Sequence, residues 1–253
     1  MGDEQLKSRV RDFWEQGPCG SWFATSAKYS REYFDEIEEH RYSVEPFIHQ
    51  FAQFTRFRAR KVLEIGVGAG TDHLQFARAG ALLSGIDLTD AAIEMVAKRL
   101  AFEGLTSDLR RADAEQLPFA PDFFDYVYSW GVLHHTPDTE KAIAEVYRVC
   151  KPGGRVCIML YHRYSLVALK VWLLHAMFKL RPFRSLTDVL YHHMESIGTK
   201  AYSRHEIGRI FRAFARVSVF PVLTPYDMNR IPAVIAGYIP RTWGWFLVIQ
   251  AVK

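Results

Sequence analysis

The sequence predicts an α/β fold in which a parallel sheet carries helices on both faces. Short apolar runs typical of buried strands, such as KVLEIG and FDYVYSW, alternate from residue 60 onward with helical segments such as AAIEMVAKRLAFEG. A chain of 253 residues with 49% hydrophobic and 24% charged residues suits one large domain of this class. Right-handed crossovers bring the carboxyl ends of the strands to one edge of the sheet, where ligands bind in such folds.

Two parts of the chain depart from this alternation. Residues 1–59 show helical periodicity in aromatic and aliphatic side chains and predict an N-terminal helical cap. The alternating core covers residues 60–161 and resumes over residues 203–253, which contain a helix, the strand RVSVFPV and a final apolar strand in WGWFLVIQAV. The intervening residues 162–202 are too many for a plain connection, so we predict an inserted helical lid there.

Composition and charge argue against several classes of protein. A net charge of +4 is too small to indicate a nucleic-acid binder. The three cysteines have no CxxC spacing, and their odd count indicates a reducing compartment rather than a disulfide framework. The charged amino terminus lacks a signal-peptide core, so we expect a cytoplasmic protein. The histidines have no clean metal-ligand spacing, and no metal is expected.

A glycine-rich loop directly follows the first predicted strand. In VLEIGVGAGTD, Gly66, Gly68 and Gly70 alternate, and glycine lets a ligand approach the main chain without an intervening Cβ. The GxGxG spacing differs from the GxGxxG that seats a pyrophosphate in dinucleotide folds. Glu64, two positions before the first glycine, would repel a phosphate and suits a cationic ligand such as an ammonium or a sulfonium.

Two more carboxylates follow the next two predicted strands. Asp87 ends the segment SGID, where an α/β nucleotide site places a carboxylate against ribose hydroxyls. The alternative for Asp87 is a helix N-cap for the segment from Thr89. Asp113, in RRADAEQLPF, can accept a hydrogen bond from an adenine amino group, and its alternative is a simple turn residue.

These residues resemble the class I S-adenosylmethionine-dependent methyltransferases, in the subgroup that includes quinone-biosynthesis methyltransferases. VLEIGVGAG is similar to their first motif, GIDLTDAAIEMVAKR to their acidic strand-two region, and ADAEQLPFAPDFFDYVYSWGVLHHTPD and EVYRVCKPGGRV to the next two motifs. The resemblance covers residues 60–160. It implies a Rossmann-like, seven-stranded, mostly parallel sheet whose last strand is antiparallel. It also implies S-adenosyl-L-methionine as cofactor and S-adenosyl-L-homocysteine as product.

The resemblance also implies a cofactor site. Glu64 and the three glycines would frame the methionine part, Asp87 would bind the ribose, and Asp113 would bind the adenine. The residues assigned to the cofactor are Glu64, Gly66, Gly68, Gly70, Asp87, Leu88, Asp113, Ala114 and Trp130.

The reaction implied is in-line methyl transfer to a small-molecule acceptor. Alignment and exclusion of water can supply much of the acceleration, and a base is needed only if the acceptor must lose a proton. His134, in GVLHHTPD, is the candidate base, with loop capping or cofactor packing as its alternative. The candidates for acceptor binding are Tyr29, Tyr33, Tyr161 and His162.

The charge and hydropathy of the insert suggest its partners. Residues 161–216 contain ten Lys/Arg and three Asp/Glu, which favours an anionic acceptor or a membrane surface, with a solvated helix face as the ordinary alternative. The apolar stretch at residues 165–180 would be buried in the core, dimer-forming or membrane-dipping. We expect a partly lipophilic, prenyl- or quinone-like acceptor. Peripheral membrane contact and a homodimer are further expectations.

Three rival functions are considered. A nicotinamide-dependent oxidoreductase is disfavoured by the GxGxG spacing, by Glu64 and by the missing TyrxxxLys pair. Methylation of nucleic-acid bases is disfavoured because SWGV, and not an NPPY-like tetrapeptide, follows strand four. A non-catalytic regulatory or scaffold protein that binds S-adenosylmethionine would keep the same cofactor site, and the sequence alone does not separate it from an enzyme.

Overall fold

The computed structural model describes residues 2–229 and 231–253, and it confirms the predicted fold class. One seven-stranded sheet has the order β3-β2-β1-β4-β5-β7-β6. Its strands are β1 (Lys61–Ile65), β2 (Leu82–Asp87), β3 (Asp108–Arg111), β4 (Phe124–Trp130), β5 (Cys150–Tyr161), β6 (Arg216–Val222) and β7 (Phe246–Val252). Strands β1 to β5 pair in parallel, and β7 runs antiparallel to both β5 and β6, as the resemblance implied.

Helices surround the sheet. Three of them precede β1: α1 (Asp3–Glu15), α2 (Arg31–Val44) and α3 (Ile48–Ala52). The crossovers of the core contain α4 (Thr71–Arg78), α5 (Asp90–Ala101) and α6 (Thr139–Val149). Between β5 and β6 lie α7 (Leu166–His175), α8 (Leu186–His193) and α9 (Arg204–Ile210), and between β6 and β7 lie α10 (Pro225–Met228) and α11 (Ala233–Ala236). None of the helices in the described ranges is long and apolar enough to cross a membrane.

Alternate residues of each central strand pack on opposite faces of the sheet. In β4, Tyr126, Tyr128 and Trp130 belong to the apolar cluster that includes α3 and α4. Val127 belongs to the cluster on the other face, with α6 and α9. This period of two buries both faces of the strand, which explains why FDYVYSW is apolar almost throughout.

Two segments are less continuously helical than their sequences suggest. Within the predicted N-terminal cap, α2 and α3 are separated around Pro46, because proline has no N–H to donate within a helix. The apolar stretch at residues 165–180 forms a helix only to His175, and Leu180 adopts a left-handed φ of 56°. Ala168 is the one fully buried residue of α7, with Val167 and Val171 partly buried against the core, whereas Leu169 and Leu174 are exposed; core packing therefore accounts for only part of this stretch.

Candidate functional site

A cavity of about 320 Å³ lies at the carboxyl ends of β1, β2 and β4. The strand order reverses between β1 and β4, which is the usual ligand position in a doubly wound sheet. Nine of the predicted site residues line this cavity: Glu64, Gly66, Gly68, Asp87, Leu88, Asp113, Ala114, Trp130 and Tyr161. Five predicted residues are not among its lining: Gly70, Tyr29, Tyr33, His134 and His162.

All three glycines of the loop have positive φ, but the lack of a side chain serves different purposes at the three positions. A Cβ on Gly66 would lie 2.2 Å from Cγ2 of Val132, and one on Gly70 would lie 2.9 Å from Cγ2 of Val96. Gly68, with φ of 51°, lines the cavity and has nothing within 4 Å of the place where a Cβ would stand. Only Gly68 therefore leaves its main chain bare for a ligand, whereas the other two permit close packing of the protein itself.

Asp87 ends β2 beside the glycine loop. Its Oδ2 accepts from the Gly68 N–H at 3.1 Å, and its Oδ1 accepts from the N–H and the hydroxyl of Thr89. The N-cap of α5 is Thr89 itself, whose side chain accepts from the Ala92 N–H, so Asp87 is not the cap. Burial raises the pKa of Asp87. Because a carboxylate has about four lone-pair sites, Asp87 retains capacity for a hydroxyl donor in the cavity.

Asp113 is bound to the N-terminal helix. Its Oδ2 lies 2.7 Å from Nζ of Lys7, which also contacts Glu115 at 2.8 Å. Its Oδ1 accepts from the Glu115 N–H at 2.8 Å. Asp113 thus combines the predicted cavity position with the turn role that was its alternative, and Lys7 of α1 closes this end of the cavity.

Glu64 shares a proton with a buried histidine. The Ser107 hydroxyl donates to the Leu83 carbonyl, so Ser107 accepts from Nε2–H of His73. Nδ1 of His73 then lies 2.9 Å from Oε2 of Glu64, with one proton between them. Burial and Asp72 raise the pKa of Glu64, while burial lowers the pKa of His73 to about 3. The proton therefore resides on Glu64, which is neutral here and not the carboxylate expected from the sequence.

The buried anion of the site is Asp72, in the first turn of α4. Its two oxygens accept from Nη2 of Arg41 at 2.7 Å, from the Tyr42 hydroxyl at 3.0 Å and from the Tyr128 hydroxyl at 2.8 Å. Burial would raise the pKa of Asp72, but Arg41 and these hydroxyls outweigh burial and lower it. This cluster joins α2 of the cap to the core beside the cavity.

The far end of the cavity is aromatic and carries acidic groups. Trp130 donates its indole N–H to Oε2 of Glu45 at 2.8 Å. Tyr161 stacks on Trp245 with a centroid distance of 4.2 Å, and its hydroxyl donates to Oε2 of Glu195 at 3.0 Å. Oε2 of Glu195 is also 3.6 Å from Nε2 of His135. Burial raises the pKa of Glu195, although 44% of its side chain remains exposed at the cavity.

His134 lies behind this group and does not face the cavity. Its ring is fully buried, stacks on Tyr161 at 3.8 Å, and has no hydrogen-bond partner on either nitrogen among residues 2–229 and 231–253. Burial lowers its pKa well below the usual range, so the ring is neutral. This placement favours the packing role that was the alternative for His134. The neighbouring His135 lines the cavity instead.

The other predicted acceptor residues are used within the protein. The Tyr33 hydroxyl donates to the Ser21 carbonyl, and Tyr29 packs against Tyr33 and under Nζ of Lys98. His162 is buried, with Nδ1 bonded to the Gly244 carbonyl at 3.0 Å. Of the four predicted acceptor residues, Tyr161 alone contributes to the cavity.

Sequence reasoning missed many cavity residues, among them Asp72, Glu45 and His135 described above and three in other segments. Glu195 lies in the insert, Tyr226 lies in α10, and Cys19 lies in the turn after α1. Glu195 had a weak signal, because it is one of only three acidic residues in the basic region 161–216. None of the ten basic residues of that region lines the cavity, so their charge does not describe the ligand.

Comparison with known proteins agrees with this geometry. Residues 63–158 match the family model described as a methyltransferase domain. The demethylmenaquinone methyltransferase of Streptomyces avermitilis is 40% identical over 100 residues, which are 40% of this chain and 42% of that protein. The ubiquinone biosynthesis O-methyltransferase of Methylococcus capsulatus is 34% identical over 135 residues, which are 53% of this chain and 55% of that protein. The chain thus spans about half the length of these curated relatives.

Among solved structures, the magnesium protoporphyrin IX methyltransferase of Synechocystis, with S-adenosylhomocysteine bound, superposes with a TM-score of 0.61. The match covers 98% of this chain and 99% of that one at 16% identity, and it therefore shows a shared fold. Together with the sheet order and the family match, these comparisons confirm the resemblance indicated by the motifs: residues 63–158 form a methyltransferase domain of the class I, S-adenosylmethionine-dependent type.

Proposed function

We propose that this protein transfers a methyl group from S-adenosylmethionine to a small, partly lipophilic acceptor. One observation carries the proposal. A single cavity joins the bare main chain of Gly68 and the carboxylate of Asp87 to an aromatic end at Tyr161 and Trp245. Such a cavity has room for a cofactor at one end and an acceptor at the other, which in-line transfer requires.

The residues present fit the cofactor. The open space over Gly68 admits a ligand against the main chain, and Asp87 offers acceptor capacity to ribose hydroxyls. Bound S-adenosylmethionine would supply an electrophilic methyl group on a sulfonium. Asp72 and Arg41 both line that end of the cavity as an ion pair at 2.7 Å, so the negative charge of Asp72 is balanced within the protein.

The aromatic end supports a lipophilic acceptor and does not require an anionic one. Trp14, Tyr161, Tyr226, Trp245 and Phe246 line it. Its acidic groups, Glu45 and Glu195, suit an acceptor that carries a hydroxyl or an amine. Two relatives have names from quinone pathways, and one of them, an O-methyltransferase of ubiquinone biosynthesis, is consistent with an oxygen acceptor.

Within this function, Glu195 replaces His134 as the proposed base. Glu195 is the accessible group, whereas Nε2 of His135 is buried and directed at it from 3.6 Å. A raised pKa makes a carboxylate a better proton acceptor near neutral pH. Tyr161 and His135 would hold the carboxyl group toward the acceptor.

Calorimetric titration with S-adenosylmethionine, S-adenosylhomocysteine and NAD tests the cofactor. We expect the first two to bind and NAD to give no heat. Asp87→Ala should weaken S-adenosylhomocysteine binding by about 1–3 kcal/mol, the cost of leaving a buried hydrogen-bonding group without its partner. The matched control is Asp90→Ala, three residues further on, where the carboxylate is 69% exposed and bonds Arg111 at the surface. Equal affinity of the two variants would remove Asp87 from the site.

Turnover of a panel of hydroxylated aromatic and amine acceptors tests the reaction and the base. Glu195→Gln should lower kcat without changing S-adenosylhomocysteine affinity, and the remaining rate should lose its dependence on a group of raised pKa. Asp188→Asn is the control, because Asp188 is the insert's acidic residue nearest in sequence and does not line the cavity. Cofactor binding without turnover of any acceptor would favour the regulatory or scaffold alternative.

A further inference from the structure

Exposed apolar side chains are concentrated in two short segments. Of eighteen large apolar side chains exposed in the described part of the chain, eleven lie within residues 164–183 and 234–243. Phe178, Leu180 and Phe183, in the turn after α7, are 72%, 91% and 100% exposed. Scattered single exposures are ordinary, but a concentration of this kind marks an interaction surface. We call residues 164–183 and 234–243 together the apolar face.

The two segments adjoin in space. Trp243 of the second segment and Tyr164 and Leu169 of the first line one groove on the outside of the protein. Nζ of Lys170, in α7, donates to the Asn229 carbonyl at 3.0 Å, just before the second segment begins. The segments therefore form one surface around α7.

All the charged side chains of the apolar face are basic. No Asp or Glu occurs between residues 164 and 187 or between residues 229 and 253. Lys179 and Arg181 alternate with the exposed Phe178 and Leu180, and neither has an ion pair to any described residue. Basic side chains interleaved with exposed aromatic and aliphatic ones match the interfacial region of an anionic bilayer, where long cations reach phosphates while apolar groups enter the acyl boundary.

A second copy of the chain fits this surface less well. A two-fold interface brings the same patch of both copies together, so two faces whose charged residues are all basic would meet. Like charges at a contact are repulsive, and no acidic residue of the apolar face is present to compensate. Anionic lipid provides the complementary charge.

We propose that the apolar face docks the protein on anionic lipid bilayers. Phe178, Leu180 and Phe183 would enter the headgroup region, and Lys179 and Arg181 would contact lipid phosphates. Val167, in the first turn of α7, and Tyr226 line the cavity, so docking would set the acceptor end of the cavity beside the bilayer. That last consequence rests on the proposed function, whereas lipid binding does not.

Vesicle co-sedimentation of the full chain tests the docking. The vesicles are phosphatidylcholine alone and phosphatidylcholine mixed with phosphatidylglycerol. We expect binding to the mixed vesicles that weakens as salt is raised. The pair Lys179→Gln/Arg181→Gln should lower the partition coefficient by about 25-fold, at about fivefold for each basic residue near an anionic surface. Phe178→Ser/Phe183→Ser should lower binding to both kinds of vesicle.

The matched control is Arg212→Gln/Arg216→Gln, which removes two exposed cations elsewhere. Arg216 pairs with Val252 at one end of β7. The chain leaves the sheet for α7 after Tyr161, which pairs with Phe246 at the other end of β7, so Arg216 lies at the opposite end of the sheet from the start of α7. Lipid binding equal to wild type is expected of this control.

Three results would overturn the proposal: no binding to mixed vesicles, equal loss in the control pair, or a dimer in solution that Phe178→Ser/Phe183→Ser converts to monomer. Calorimetry with S-adenosylhomocysteine on the same variants reports the cofactor site separately, so failure of docking and failure of the proposed function are distinguishable.

Discussion

The hydroxyl of Tyr128 provides a sharp test of the buried charge at Asp72. Tyr128 is fully buried in β4 and donates to Oδ2 of Asp72 at 2.8 Å. Tyr128→Phe removes this hydrogen bond and keeps the ring packed against Phe76 at 5.3 Å. A hydrogen bond to a charged group contributes about 1.5–3 kcal/mol. The free energy of unfolding should fall by that amount, because Arg41 and Tyr42 still hold the carboxylate.

Tyr126→Phe is the matched control, two residues earlier on the same face of the strand. Tyr126 is also buried, and its hydroxyl donates to the neutral Ala52 carbonyl at 3.2 Å. Its loss should cost about 0.5–1.5 kcal/mol, the range for a neutral pair. Urea titrations of both variants give the free energies of unfolding, and unchanged m-values would show that the denatured state is unaffected.

The same two tyrosine substitutions made in an Asp72→Asn variant separate the effect of the Asp72 charge from that of the hydrogen-bond geometry. With Asp72→Asn present, the two tyrosine substitutions should cost similar amounts, since both acceptors are then neutral. In the parent protein, the difference between the variants should persist from pH 8 down to the lowered pKa of Asp72 and vanish as pH falls through it. Equal costs of Tyr128→Phe and Tyr126→Phe in the parent at neutral pH would refute an ionised Asp72.

Three further predictions concern the site. Gly66→Ala should lower the free energy of unfolding by about 1–3 kcal/mol, because the added Cβ would clash with Val132 at a positive φ. Gly68→Ala should chiefly lower the affinity for S-adenosylhomocysteine. Urea titration and calorimetry measure the two effects, and the reverse pattern would contradict the assignment. The free energy of unfolding should fall by about 1.4 kcal/mol per pH unit for each of His73 and His135 as pH decreases from about 6.5 toward 3. Burial lowers the pKa of both rings to about 3, so in this range the unfolded chain binds protons that the folded protein does not. A urea midpoint that does not change with pH would count against this. Cys19 is the exposed cysteine among the described residues and lines the cavity, so bound S-adenosylhomocysteine with acceptor should slow its reaction with iodoacetamide; labelling, followed by mass spectrometry, that is equally fast with and without these ligands would be inconsistent with the cavity position.

Local patterns in the sequence were sufficient for the fold and for half of the site. The alternation of strands and helices after residue 60 follows from burial periodicity, which each segment carries by itself. Gly68 and Asp87 lie at strand ends, and the parallel topology places all such ends at one edge. The expected cofactor residues therefore meet at the cavity even though they come from different strands.

The acceptor end depended on contacts that no local pattern encodes. Glu195 and Tyr161 are 34 residues apart, and the path of the insert alone brings them within hydrogen-bond distance. His134 and His135 are adjacent in sequence and both buried, but the turn that holds them places only His135 on the lining of the cavity. The basic residues of region 161–216 could be counted from the sequence, but that none of them lines the cavity is a property of the packed structure.

The sequence by itself determined the α/β class, the glycine loop and the carboxylate that follows β2, since periodicity and spacing along the chain dictate these. The tertiary structure alone decided which glycine faces the ligand, where the proton between Glu64 and His73 resides, and that Phe178, Leu180 and Phe183 remain at the surface. The physical reason is common to all three. Desolvation and hydrogen-bond partnership depend on groups that are distant in sequence, and they acquire values only when the chain is folded.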